Sequence, residues 1–161
     1  MPDLSALYQE VLLDHYRRPR NKGALPAATA NATGHNPLCG DEVNVAVQLD
    51  GDRIADVKFT GSGCAISQAS ASVMTQAVKG KTIAEADAIY ASFHHLVTSG
   101  PGIPGAGAQP SGALLAFGGV ARFPMRVKCA TMSWHTLRRA LGVQAASADE
   151  GAPRRPDGSA S

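Results

Sequence analysis

The most constraining feature of this sequence is a period-two alternation that runs into a turn and out again. Val43, Val45, Val47 and Leu49 alternate with Asn44, Ala46 and Gln48; beyond Asp50-Gly51-Asp52, Ala55, Val57 and Phe59 alternate with Asp56 and Lys58. Successive strand residues point to opposite faces, so the pattern specifies a β-hairpin with one apolar face. Most of the chain around it reads as helix or loop. Leu4, Leu7, Tyr8, Val11 and Leu12 form one helical face over Leu4 to Arg18, with Asp3 as its cap and Arg17, Arg18 and Pro19 as its stop. Residues 20–37 read as loop, with a short strand near Ala30 to Gly34. After Gly61-Ser62-Gly63 breaks the second hairpin strand, Cys64 opens a helix. Its inward stripe is Ile66, Ala69, Ser70, Val73, Met74 and Ala77, and it ends at Lys79-Gly80. Thr82 and Glu85 fit a capping box for a third helix reaching about Leu96. Phe123-Pro124 opens a last helix to about Leu141, with Leu137, Ala140 and Leu141 inward.

Between the last two helices, Thr98 to Gly112 is rich in Gly and Pro and reads as a long loop, followed by a short helix near Ala113 to Val120. After Val143 the chain has nothing to bury, so the expectation is one domain over 1–143 and a disordered tail over 144–161. At 161 residues and 44% apolar content the chain can bury one core, and with only 5% aromatics that core must be aliphatic and Ala-rich. A net charge of +2 is too mild to call for nucleic acid. The uncharged stretch from Ala88 to Ala121 is interrupted by Pro101, Pro104 and Pro110 and never reaches the ~20 apolar residues a bilayer needs. The N-terminus carries Asp3, Glu10 and Asp14 and no signal-type apolar run, so a cytoplasmic protein without membrane association is expected.

Three cysteines, an odd number, argue against a disulfide framework and toward metal or thiol chemistry. All three fall at element junctions: Cys39 in the tight loop before the hairpin, Cys64 at a helix mouth, and Cys129 in the first turns of the last helix. A helix N-terminus and the neighbouring Arg126 and Lys128 favour thiolate, the form that attacks sulfur and binds zinc or iron. No Cys-x-x-Cys pair is present, so spacing alone leaves three unrelated core thiols as an equal reading. A fourth ligand could come from Asp41, since Cys39-x-Asp41 in an extended segment puts both side chains on one side; the same carboxylate could simply cap the turn. His35 is an alternative. His135 points away from Cys129, and His94 and His95 read as helix-end cations or surface residues. His15 and Tyr16 end the first helix and read as partner-facing or merely amphipathic.

Four segments together resemble the SufU-type proteins of the IscU/NifU N-terminal superfamily. They are Leu7-Tyr8 through Asp14-His15-Tyr16-Arg17-Arg18-Pro19-Arg20-Asn21-Lys22-Gly23, then Asn36-Pro37-Leu38-Cys39-Gly40-Asp41, then Gly61 to Ser67 with Ala69 to Gly80, and finally Phe123 to Thr131 continuing through Trp134. The resemblance implies an α+β fold: a small antiparallel three-stranded sheet with helices packed on one face. It implies that Cys39, Asp41, Cys64 and Cys129 form a zinc site. It further implies a pyridoxal-phosphate cysteine desulfurase of the SufS type as partner, with Cys39 accepting persulfide sulfur for iron–sulfur cluster assembly and downstream Suf proteins receiving it. Arg126 and Lys128 read equally as groups that stabilise the anionic sulfur or touch the partner and as a solvated basic face of the last helix. The rival is a scaffold holding iron or a [2Fe–2S] cluster on the same residues. IscU-type scaffolds place a ligating His directly before the third Cys, whereas Lys128 stands there in this chain and offers no lone pair. That residue, and the Thr98 to Val120 insertion, favour the zinc-dependent sulfur acceptor. The insertion is uncharged here, unlike the acid-bearing insertions of the relatives it resembles.

Overall fold

The computed structural model describes residues 4–36, 40–99 and 112–142. In chain order the elements are α1 (Leu4–Arg17), β1 (Ala30–Asn36), β2 (Asp41–Asp50), β3 (Arg53–Ser62), α2 (Ala65–Val78), α3 (Ile83–Ser99), a 3-10 segment (Gly112–Arg122) and α4 (Pro124–Leu141). The strands form one antiparallel sheet in the order β1-β2-β3. Its inner face carries Val43, Val45, Val47, Ile54, Val57 and Phe59, all fully buried. The expected α+β class and three-stranded sheet are what the chain forms.

One residue of the hairpin differs from the alternation. Val47 faces Val57 and Gln48 faces Asp56, but Leu49 then faces Ile54, so Ala55 is an extra residue and the register shifts. A bulge flips the faces beyond it. Ile54 is therefore buried and Ala55 exposed, the reverse of a continued alternation.

Helices α2 and α4 lie against the sheet, and α1, α3 and the 3-10 segment pack on their far side. The seating of α4 on β1 depends on Gly34, where a Cβ would collide with Thr136 Oγ1. Sandwiched in this way, α2 is buried almost all round from Ser67 to Thr75, not along a single stripe. Such a helix must satisfy its polar side chains internally. Ser70 Oγ donates to the Ala130 carbonyl of α4 at 2.5 Å. Ser72 Oγ meets His15 Nδ1 at 2.7 Å and accepts the Arg20 N–H at 2.8 Å, while Asn21 Nδ2 donates to Thr75 Oγ1 at 3.1 Å. His15 is thus neither partner-facing nor on the surface but only 4% exposed. Burial first, and then the charge of Arg20, hold its imidazole below the usual value and favour the neutral ring. The segment from Asp14 to Gly23, part of the family resemblance, is structural at these positions: it ties α1 to α2 and to the edge of β3, with Phe59 N–H donating to Asn21 O at 3.0 Å.

The Thr82–Glu85 capping box forms as expected, with Thr82 N–H donating to Glu85 Oε1 at 2.9 Å and Glu85 N–H to Thr82 Oγ1 at 3.1 Å. Helix α3 continues past Leu96 to Ser99, and Gly112 already belongs to the 3-10 segment, so both ends of the expected loop are helical. His94 and His95 accordingly sit inside α3, half-buried, with the His94 ring 5.5 Å from Tyr90 and 6.4 Å from His135 of α4. At the other end of the chain, α4 stops as Gly142 adopts a left-handed conformation at φ 78°. The cap assigned to Asp3, the middle of the Gly/Pro insertion and the tail from residue 144 lie outside the described residues. Among the described residues no helix is long and apolar enough to cross a membrane.

Candidate metal centre

At the end of the sheet opposite the Asp50–Arg53 turn, β1 finishes, β2 begins and β3 leads into α2. Three candidate ligands meet there. Asp41 is the first residue of β2 and is 1% exposed; Cys129, in the second turn of α4, is 3% exposed; Cys64 caps α2 and is half-buried. One ligand atom from each lies within 4.8 Å of the others. Strand alternation turns Asp41 inward together with Val43 and Val45. Cys64 is brought to it by Gly63, whose φ of 150° suits glycine and where a Cβ would run into the Asp41 carboxylate.

The hydrogen bonds fix the geometry further. Cys64 N–H donates to Asp41 Oδ1 at 2.8 Å, and Cys64 Sγ lies 3.6 Å from Asp41 Oδ2. Ser67 N–H points at Cys64 Sγ at 3.5 Å, the side-chain cap of α2. The positive end of the α2 dipole thus faces the donors that must carry negative charge to bind a cation. A tetrahedral zinc with Zn–S near 2.3 Å and Zn–O near 2.0 Å asks for S···O edges of about 3.5 Å. The 3.6 Å between Cys64 Sγ and Asp41 Oδ2, a hydrogen bond here, is close to that length. Two sulfurs and a carboxylate therefore fit a borderline-soft divalent ion such as zinc, and they fit iron as well.

The remaining candidates are placed as follows. Cys39, the third sulfur, lies outside the described residues. His35 points to the opposite face of β1, half exposed and 3.3 Å from Glu42 on the neighbouring strand, so it does not join the cluster. His135 packs edge-on against Tyr90, away from Cys129 as the helical spacing requires. Arg126 and Lys128 are exposed on the first turns of α4, beside two of the three exposed large apolar side chains among the described residues, Phe123 and Met125. Two residues at the centre escaped the sequence reading. Ser67 supplies the N–H to Cys64, a consequence of helix capping that the Cys64 position alone could have suggested. Asn36, 6% exposed at the end of β1, faces Asp41 across the ladder and brings Nδ2 within 4.0 Å of Cys129 Sγ. Only the strand register reveals it.

Comparison with known proteins agrees with this architecture. The sequence pattern of the family described as NifU-like N terminal domain matches residues 7–130. The zinc-dependent sulfurtransferase SufU of Bacillus subtilis is 42% identical over 142 residues, covering 88% of this chain and 94% of its own. The iron-sulfur cluster assembly scaffold protein IscU of Streptococcus pyogenes is 42% identical over 138 residues, 86% of this chain and 84% of its own. Among solved structures, a candidate iron-sulfur cluster assembly scaffold protein for the SUF system from Fervidobacterium islandicum superposes with a TM-score of 0.73 at 35% identity, covering 86% of this chain and 99% of its own. The inward Asp41, the cysteines at two helix starts and a family pattern spanning most of the chain lead to one conclusion: this protein belongs to the NifU-like N-terminal domain family.

Proposed function

We propose that this protein is a zinc-dependent sulfur acceptor in iron–sulfur cluster assembly, taking persulfide sulfur from a SufS-type cysteine desulfurase. The observation that carries the proposal is the convergence of Asp41, Cys64 and Cys129 within one coordination radius. Cys39 completes the set as fourth ligand; two residues of chain span at most about 7 Å, which tethers it within reach of Asp41. Zinc, when bound, holds the sulfurs as thiolates at neutral pH and shields them from oxidation. A carboxylate among soft ligands makes the set easier to open than four thiolates.

Cys39 is the acceptor. Its thiolate attacks the terminal sulfur of the donor's persulfide; a new S–S bond forms on Cys39, the old one breaks, and the donor's own sulfur leaves as thiolate. Release of Cys39 only when the donor docks confines the exchange to that partner, because rate follows thiolate fraction and access. The exposed Phe123, Met125, Arg126 and Lys128 beside Cys129 supply an apolar and basic contact for the donor. Lys128 occupies the place before Cys129 and is exposed, which supports a site without a nitrogen ligand there. The similarity to a B. subtilis protein named as a zinc-dependent sulfurtransferase supports the same reading.

A second reading, a scaffold on which a [2Fe–2S] cluster is built, is favoured by the S. pyogenes relative named as such. Alanine release by a SufS-type desulfurase separates the two. A sulfur acceptor raises turnover severalfold and loses the effect on Cys39→Ala; no acceleration by the parent protein overturns the proposal. Anaerobically purified protein with one zinc and no visible chromophore counts against the scaffold, and a coloured, iron-loaded protein supports it.

A further inference from the structure

We infer that Asn36 is a positioning residue for the metal centre, whose side-chain amide donates to the Cys129 thiolate and sets how tightly that sulfur holds the ion. The inference rests on the metal-site reading and adds a residue to it. Each of the three described ligands has an N–H facing it. Asp41 Oδ1 accepts the Cys64 peptide N–H at 2.8 Å, and Cys64 Sγ faces the Ser67 peptide N–H at 3.5 Å. Both of these donors belong to the backbone at the start of α2. Cys129 lies in the second turn of α4, where the peptide N–H groups are turned into the helix, so its donor must come from elsewhere.

Asn36 meets that need from across the fold. It is the last residue of β1 and stands opposite Asp41, so both side chains leave the sheet on the same face, beneath α4. It is 6% exposed, and its Nδ2 lies 4.0 Å from Cys129 Sγ, a contact joining residues 93 apart in the chain. An N–H aimed at a metal-bound thiolate draws charge off the sulfur and orients it, the way partners outside the coordination sphere tune metal ligands. The neighbouring His35 cannot substitute, because it leaves the opposite face of the strand.

The test uses the full 161-residue chain loaded with Co(II) alone, and zinc affinity measured by competition with a chromophoric chelator. Asn36→Leu keeps the size and branching of the side chain but removes the donor; Asn36→Gln keeps an amide on a longer arm. The sulfur-to-cobalt charge-transfer band of Asn36→Leu moves to longer wavelength and zinc affinity falls about tenfold, while Asn36→Gln stays within about twofold of the parent. If Asn36→Leu is recovered unfolded, Asn36→Ala gives the same contrast. An unshifted band with parental zinc affinity in the donor-free variant overturns the inference, as does a shift shared equally by Asn36→Gln. A purely structural Asn36 would lower the unfolding temperature of the metal-free chain and leave the band in place. Failure of the parent chain to bind cobalt would instead overturn the metal-site reading, so the two failures are distinguishable.

Discussion

The two ends of the three-stranded sheet are held by different kinds of bond. At the turn end, the hairpin is sewn to the α2–α3 connection through the backbone: Gly80 N–H donates to Ile54 O at 2.7 Å, Ile54 N–H to Lys81 O at 2.8 Å and Ile83 N–H to Asp52 O at 2.7 Å. Arg53 adds a guanidinium bond to the Gly80 carbonyl. At the open end, besides the β1–β2 backbone ladder, side-chain ties between the sheet, α2 and α4 run through Asp41, Cys64, Cys129 and Asn36. Each of these ties uses a group that a metal would also use or that a ligand leans on. The backbone bonds at the turn end use no group that an ion would bind, whereas the side-chain bonds at the open end use the same donor atoms that an ion would take.

The largest test of this contrast is metal removal. Chelation of the zinc-loaded chain should lower stability by about 4 kcal/mol if the free ion stood about a thousandfold above its dissociation constant. Hydrogen exchange should show where the loss falls: amide protection drops at Cys64 and Ser67 and stays unchanged at Ile54 and Ile83. Equal loss at both ends would break the comparison.

Next come the glycines. Gly63→Ala forces a side chain into a φ of 150° and against the Asp41 carboxylate, with an expected cost of about 3 kcal/mol in thermal or chemical unfolding and loss of metal retention. Gly51→Ala in the turn meets no atom within 4 Å and carries only the left-handed strain at φ 64°, about 1 kcal/mol, with metal binding intact.

The smallest effect belongs to the capping box at the turn end. Thr82→Ala should cost about 1 kcal/mol and leave zinc affinity at the parental value. The Thr82 backbone N–H bond holds the Glu85 carboxyl below its ordinary value against the opposing effect of burial, and the Thr82 side-chain bond adds to the lowering. A depressed carboxyl stabilises above its unfolded value and loses that contribution as pH falls through the folded one. Acid titration monitored at α3 should therefore show a loss that Thr82→Ala reduces, whereas a midpoint near neutrality would contradict the assignment.

Most of the elements were legible because their signals are local. Alternation from Val43 to Phe59, the Thr82–Glu85 pair and Pro124 each act within a few residues of chain, and the helices and strands start or run where these signals lie. The errors arose where a signal depended on a distant partner. Ala55 follows the alternation, yet the register shift at Gln48–Leu49 turns it outward. His15 looks amphipathic at the end of α1, yet Ser72, 57 residues away, takes it into the interior. Ile66 and Ala77 belong to a helical stripe, but α2 is enclosed by neighbours on several sides and they are only half-buried.

The candidate centre divides in the same way. Sequence alone determined the donor types and their positions at element junctions and put Asp41 forward as a candidate ligand beside a turn-capping alternative, because strand and helix periodicity decide where a side chain points. Tertiary structure alone decided that Asp41, Cys64 and Cys129 meet, that His35 leaves by the opposite face, and that Asn36 lies beneath Cys129. The physical reason is that these depend on the register of β1 against β2, set by a pairing between strands, and on the seating of α4 over Gly34, where residues about 100 apart meet; neither is encoded in a single element's own periodicity.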